Sequence, residues 1–129
     1  MTLFYNDKTT KLKDALLENS NNVPIYVATA FFSNTDILKQ FMYKRCNIKL
    51  IIRLNTGTSA KELEKLTPFM YSGQIEIRFF TDEHFHPKFY IFGDKTAFIG
   101  SSNLTNNGIE ENQEMNIQID DKETIFQLK

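Results

Sequence analysis

The chain has 129 residues, enough for one domain around one core, and its 41% hydrophobic and 24% charged residues exclude a disordered chain. With 15 Lys and Arg against 16 Asp and Glu the formal charge is −1, so no global basic field draws it to nucleic acid or a membrane. Any nucleic-acid binding must use a local basic patch. The single cysteine, Cys46, excludes an internal disulfide and fits a reducing compartment. The opening MTLFYNDKTTKL lacks the apolar run of a signal peptide, and no run of about 18 apolar residues could span a membrane. A cytoplasmic protein is expected.

Asp7 or Thr9 can cap a first helix over Lys8–Asn19, with Leu12, Ala15 and Leu16 as its buried stripe. After the turn Asn19-Ser20-Asn21-Asn22, the run Val23–Phe32 reads as a central strand covered on both faces. Ser33 or Asn34 caps a second helix with Asp36 in its first turn and Ile37, Leu38, Phe41 and Met42 as its stripe. Asn47–Asn55 is the next strand, completing a βαβ unit with parallel strands. Ser59-x-x-Glu62 reads as a capping box opening a third helix, with Leu63 and Leu66 inward. Pro68 should disturb that helix near its end, and Gly73 should close the segment. Gln74–Phe80 alternates as a strand.

The stretch His86–Asn103, HPKFYIFGDKTAFIGSSN, reads as two strands joined by a turn at Gly93-Asp94. Alternation puts His86 and Lys88 on one face and Pro87, Phe89 and Ile91 on the other, apolar one. Beyond Gly100, Ser101 and Asn103 share a face if the strand continues. A base, a cation and two small hydrogen-bonding groups would then gather at one edge of a sheet. Glu111–Asp120 alternates again, with Met115, Ile117 and Ile119 on one face and Glu114, Asn116 and Gln118 on the other. Asp121 begins a short terminal helix carrying Ile125, Phe126 and Leu128. With no repeat or linker, the fold expected over residues 1–129 is one α/β domain, a mixed sheet flanked by about three helices.

His86-x-Lys88, a following Asp94 and Gly100-Ser101-x-Asn103 together resemble the HKD motif of the phospholipase D superfamily. The family usually sets four residues between Lys and Asp, whereas Phe89 to Gly93 make five, so Gly93 stands where the Asp is expected. In the family that Asp supports the fold and not the chemistry, which leaves the catalytic reading intact. The resemblance implies a phospholipase D-like mixed sheet and places Glu114 as the later-strand carboxylate that hydrogen-bonds the motif His. Among family members the chain is most similar to the metal-independent nuclease branch, which includes catalytic domains of restriction endonucleases and helicase-associated domains.

That resemblance implies a phosphodiester hydrolase with no cofactor and no metal. Neutral His86 is the nucleophile, giving a phosphohistidine, and Glu114 fixes its tautomer. Lys88 supplies a point charge, while Asn103 and Ser101 donate to the phosphoryl oxygens, with Ser102 the flanking alternative. A positioned proton donor is worth roughly 10²–10⁴-fold in rate. One His cannot attack and protonate the departing oxygen at once, so the single motif implies a C2 homodimer sharing one site. The expected partners are nucleic acid, DNA above all, a second copy, and a further DNA-recognition domain or helicase. The alternatives are a phospholipid or small-phosphodiester hydrolase or transferase, or a non-catalytic dimerisation or DNA-binding module of the same fold.

Competing roles attach to several residues. His84 with His86 and Asp82 or Glu83 could form a metal pair, but no further His or usable Cys completes it, and His84 is better read as an exposed loop residue. Ser101 as nucleophile lacks a second base, and GSSN is not a nucleophile elbow. Tyr43-Lys44-Arg45 reads as a solvated helix end before a phosphate contact. Arg53, Thr56, Thr58 and Ser59 read as a strand end and a helix cap before a cleft lining. Phe31-Phe32 and Phe79-Phe80 sit near strand ends, where core packing competes with stacking on a base.

Overall fold

The computed structural model describes residues 2–6, 11–30, 32–53, 60–80, 88–105, 109 and 115–128. Their elements run, in order, β1 (Thr2–Phe4), α1 (Leu12–Glu18), β2 (Ile25–Thr29), α2 (Thr35–Tyr43), β3 (Ile48–Arg53), α3 (Ala60–Glu64), α4 (Thr67–Tyr71), β4 (Ile75–Phe80), β5 (Phe89–Phe92), β6 (Thr96–Gly100), β7 (Asn116–Ile119) and α5 (Lys122–Leu128). Among the described residues the seven strands form one sheet, in the order β1-β7-β6-β5-β2-β3-β4. This is the expected mixed α/β sheet. β2, β3 and β4 are parallel, and β5, β6, β7 and β1 continue antiparallel.

The β2–α2–β3 unit forms as its pattern dictates. Asn34 caps α2 by accepting the Ile37 N–H at 3.1 Å, and Ile37, Leu38, Phe41 and Met42 are buried. These side chains, with Leu12, Ala15 and Leu16 of α1, cover Ile25, Val27, Leu50, Ile52, Tyr90, Phe92 and Phe98 on one face of the sheet. The opposite face is covered over its second half by α5, whose Ile125 packs with Ile91 and Ala97. Side chains on both sheet faces are therefore apolar in the middle strands, as a continuous hydrophobic run requires.

Several expectations are corrected. α1 starts at Leu12, not Lys8, and its cap position, Lys11, makes no side-chain capping bond. Instead Asn6, at φ +60°, accepts the Leu12 N–H at 2.9 Å. Asp7 and Thr9 lie outside the described residues. Pro68 does not fray a single third helix but opens a second one. It lacks an N–H, which suits the first turn of α4 and forbids continuation of α3. Leu66 between the two is fully buried and Leu63 packs on the core, as expected. Ser59 lies outside the described residues. Glu62, read as its capping partner, accepts from the Thr35 N–H at 3.5 Å at the start of α2 and pairs with Lys65. Gly73 does close the segment, at φ +80°.

β1 was not expected from the sequence. It pairs antiparallel with β7, and Phe4 meets Phe98 edge to face at 5.5 Å between ring centroids. The last strand is shorter than its alternating pattern, starting at Asn116. Asp121 caps α5 as expected, accepting from the Thr124 N–H and hydroxyl. Ile125 is buried, but Phe126 is 78% exposed and not part of the core. Tyr43 is 75% exposed, so the helix end Tyr43-Lys44-Arg45 is solvated as read. No helix among the described residues is long and apolar enough to cross a membrane.

Candidate active site

One edge of the sheet collects the residues of interest. β2, β3 and β4 end there, β6 ends there at Gly100, and β5 and β7 start there. The hairpin turns at Gly93, at φ +61°, and its two strands pair Phe89 with Ile99. Lys88 extends this ladder by one step, its carbonyl accepting the Gly100 N–H at 3.3 Å. Cross-strand partners share a face, so Lys88, Gly100 and Asn116 lie on the face that also carries Tyr90 and Phe98. Phe89 and Ile91 lie on the other face, toward α5. This is the alternation expected for Lys88 against Phe89 and Ile91.

Past Gly100 the chain leaves the strand, and the expected common face for Ser101 and Asn103 is not formed. Ser101 turns to β7: its N–H donates to the Met115 carbonyl at 3.0 Å and its hydroxyl accepts the Met115 N–H at 3.0 Å. Asn103 turns the other way, to β2. Its Oδ1 accepts from the Ala30 N–H at 3.1 Å and from the Thr29 hydroxyl at 3.3 Å. The reason is the pairing order: β6 sits between β7 and β5, and the loop after it must pass over β5 to reach the end of β2. Leu104 completes that crossing, bridging to Phe32 and accepting the Ser33 N–H at 3.0 Å.

Ser102, the flanking alternative for contacting substrate, is fully buried and serves the fold. Its hydroxyl accepts from Asn116 Nδ2 at 2.7 Å, and its carbonyl accepts the Tyr90 hydroxyl proton at 2.9 Å. Complete burial pushes the Tyr90 phenol well above its ordinary pKa, so it stays a neutral donor. Gly100 is demanded by the close approach of β7. A Cβ there would lie 2.1 Å from the Met115 carbonyl oxygen and 2.5 Å from Asn116 Oδ1.

Of the sequence-predicted site residues, the described ones are Lys88, Ser101 and Asn103, all at this edge. His86 and Glu114 lie outside the described residues, as do His84, Asp82, Glu83, Thr56, Thr58, Ser59 and Phe31. Arg53 and Phe80 are register partners ending β3 and β4 at this edge, and Phe79 and Phe80 are about half exposed there. Thr29, Tyr90 and Asn116 are the residues the sequence reading missed. Asn116 sat in the polar row of the last strand, yet it is buried. Nothing in the sequence linked Thr29 to Asn103, 74 positions away.

Among the described residues no group of three His, Cys, Asp or Glu side chains could hold a metal ion. A cavity of about 280 Å³ opens on the face away from Lys88, between Tyr26, Lys49, Ile51, Arg78, Phe89 and Leu128. It lies on the opposite face of the sheet from Lys88, Gly100 and Asn116.

Three solved structures share this architecture. NucT from Helicobacter pylori is 18% identical, with 98% of this chain and 89% of that one covered at a TM-score of 0.71. The phospholipase D family member Nuc from Salmonella typhimurium is 18% identical, with 98% and 87% covered at 0.73. TrmBL2, an archaeal chromatin protein, is 17% identical, with 98% and 48% covered at 0.67. At such identities these likenesses concern the fold. No curated protein matches the sequence. Residues 15–129 match the family described as cardiolipin synthase, PLD-like domain, which spans nearly the whole chain. With the mixed sheet and its Lys88–Asn103 edge, the match leads to one conclusion: the chain belongs to the phospholipase D-like family.

Proposed function

We propose that the chain is a metal-independent phosphodiesterase cleaving nucleic acid, DNA foremost, through a phosphohistidine on His86 in a site shared by two copies. The observation that supports this most is the meeting of Lys88 and Asn103 at one sheet edge, from opposite ends of the motif that resembles HKD. An imidazole nitrogen of His86 attacks phosphorus and the bond to the leaving oxygen breaks. The proton for that oxygen comes from His86 of the partner subunit. Water then attacks phosphorus, gives its proton to the same partner histidine, and the phosphorus–nitrogen bond breaks. Glu114 holds the attacking imidazole in one tautomer and faces its positive charge. Lys88 and Asn103 meet the phosphoryl oxygens with charge and an N–H donor, and Ser101 borders them.

Nucleic acid is favoured as substrate by the TrmBL2 fold relative, whose structure concerns DNA binding, and by Arg53 at the same edge. The family description, cardiolipin synthase, supports a phospholipid as the second reading. Incubating plasmid, RNA and phosphatidylcholine with wild type and His86→Ala, in excess chelator, separates them. Cleavage of plasmid by wild type alone is the expected result. Loss of all activity in chelator, restored by a divalent metal, would rule the mechanism out. Sedimentation should give a dimer, and a monomer that cleaves DNA at full rate would remove the shared site.

A further inference from the structure

The carboxamide of Asn103 is held in one orientation by the end of β2. The Ala30 N–H donates to its Oδ1 at 3.1 Å. A backbone N–H can only donate, so the atom facing it must be the amide oxygen. The Thr29 hydroxyl gives its proton to the same oxygen at 3.3 Å. That hydroxyl cannot turn away, because it also accepts the Leu104 N–H at 2.9 Å and Thr29 is fully buried. Two donors on Oδ1 direct the oxygen to β2 and turn Nδ2 off it.

We propose that Thr29 is a positioning residue for a phosphate site: it locks Asn103 oxygen-inward, so that the NH₂ group is the end presented to a phosphate oxygen. The inference rests on the proposed function, which assigns Asn103 to the phosphate. Without the Thr29 hydroxyl, Oδ1 loses one of these two donors and the Leu104 N–H loses this acceptor. The amide then samples orientations in which its oxygen, not its nitrogen, meets the anion and repels it. Serine at position 29 keeps the hydroxyl, whereas valine keeps the shape and removes it.

The test is a titration of ¹⁵N-labelled protein with inorganic phosphate, following the Asn103 side-chain NH₂ signal, assigned by its loss in Asn103→Asp. In wild type the signal should move saturably with phosphate. Thr29→Ser should bind within about twofold of wild type, and Thr29→Val about tenfold more weakly, as expected for loss of one hydrogen bond to an anion. Should Thr29→Val not fold, Thr29→Ala, which also lacks the hydroxyl, is titrated in its place. In Asn103→Asp, phosphate affinity read from backbone amide shifts should fall, since the carboxylate has no donor to offer. Equal affinity in the folded variant without the hydroxyl, unchanged phosphate affinity in Asn103→Asp, or an Asn103 signal blind to phosphate in wild type each overturns the inference. A protein that binds phosphate through Asn103 yet cleaves no phosphodiester overturns the proposed function and leaves the role of Thr29 standing.

Discussion

Asn116 and Ser102 hold one another by two hydrogen bonds: Asn116 Nδ2 donates to Ser102 Oγ at 2.7 Å, and the Ser102 N–H donates to Asn116 Oδ1 at 3.4 Å. Both are buried, so neither bond competes with water. Asn116→Ala leaves the Ser102 groups buried with fewer partners, at a cost of about 2 kcal/mol. A melting temperature lower by roughly 5–10 °C should follow for a domain of this size. Melting at the wild-type temperature would show that the clamp contributes nothing to stability.

Gly100→Ala is expected to be worse than its size suggests. The new methyl would sit 2.1 Å from the Met115 carbonyl oxygen, and backbone must move to admit it. A loss of about 3 kcal/mol is expected, the upper range for overpacking. Backbone amide shifts along β7 should accompany it. A variant that unfolds at the wild-type denaturant midpoint would mean that β7 yields at no cost.

Catalysis should separate the motif residues by role. On the proposed mechanism His86→Ala should abolish cleavage, since it removes the nucleophile. Lys88→Ala should retain measurable turnover, lowered by roughly 10²–10³-fold, as for loss of one group stabilising transition-state charge. Single-turnover rates on a labelled oligonucleotide make the comparison. Equal residual rates for the two variants would contradict the division between nucleophile and electrostatic support.

Acid should loosen α5 before the core. The Thr124 hydroxyl, and then its N–H, donate to the Asp121 carboxylate and hold its pKa below the ordinary aspartate range. A depressed folded-state pKa means that the contribution is complete above the unfolded value of about 4 and is lost as pH falls through the lower folded value. Amide protection in α5 should therefore decline from about pH 4 downward. Asp121→Asn, whose side chain does not titrate, should lack that step. An unchanged acid profile in the variant would assign the loosening to other carboxylates.

The parts of the fold legible in the sequence are those set by local chemistry. Asn34 as cap, the stripe of α2 and the long apolar run of β2 each carry their signal within a few residues. The motif likewise marked Lys88, Ser101 and Asn103 before their positions at one edge were known. What failed to show depends on distant partners. Three residues are too few for an alternating pattern, so β1 gave no signal apart from β7. Asn116 looked solvent-facing because its partner, Ser102, lies on another segment. The shared face expected for Ser101 and Asn103 assumed a straight strand, whereas the loop divides them between β7 and β2. Pro68 was read as a disturbance near the end of one helix, because its place in the first turn of a second depends on where the helix before it stops.

The edge that carries Lys88 and Asn103 is assembled from chain segments separated by most of the sequence, with β5 inserted beside β2 and β7 closing behind β6. A chain emerging from the ribosome can complete the β2–α2–β3 unit while its second half is still unmade. The Thr29–Asn103 contact must wait for residue 103, and the Asn116–Ser102 clamp for residue 116. Contacts of such long separation form slowly. Synthesis order thus sets assembly order: the edge that joins Thr29, Lys88, Asn103 and Asn116 is complete only once β7 has been made.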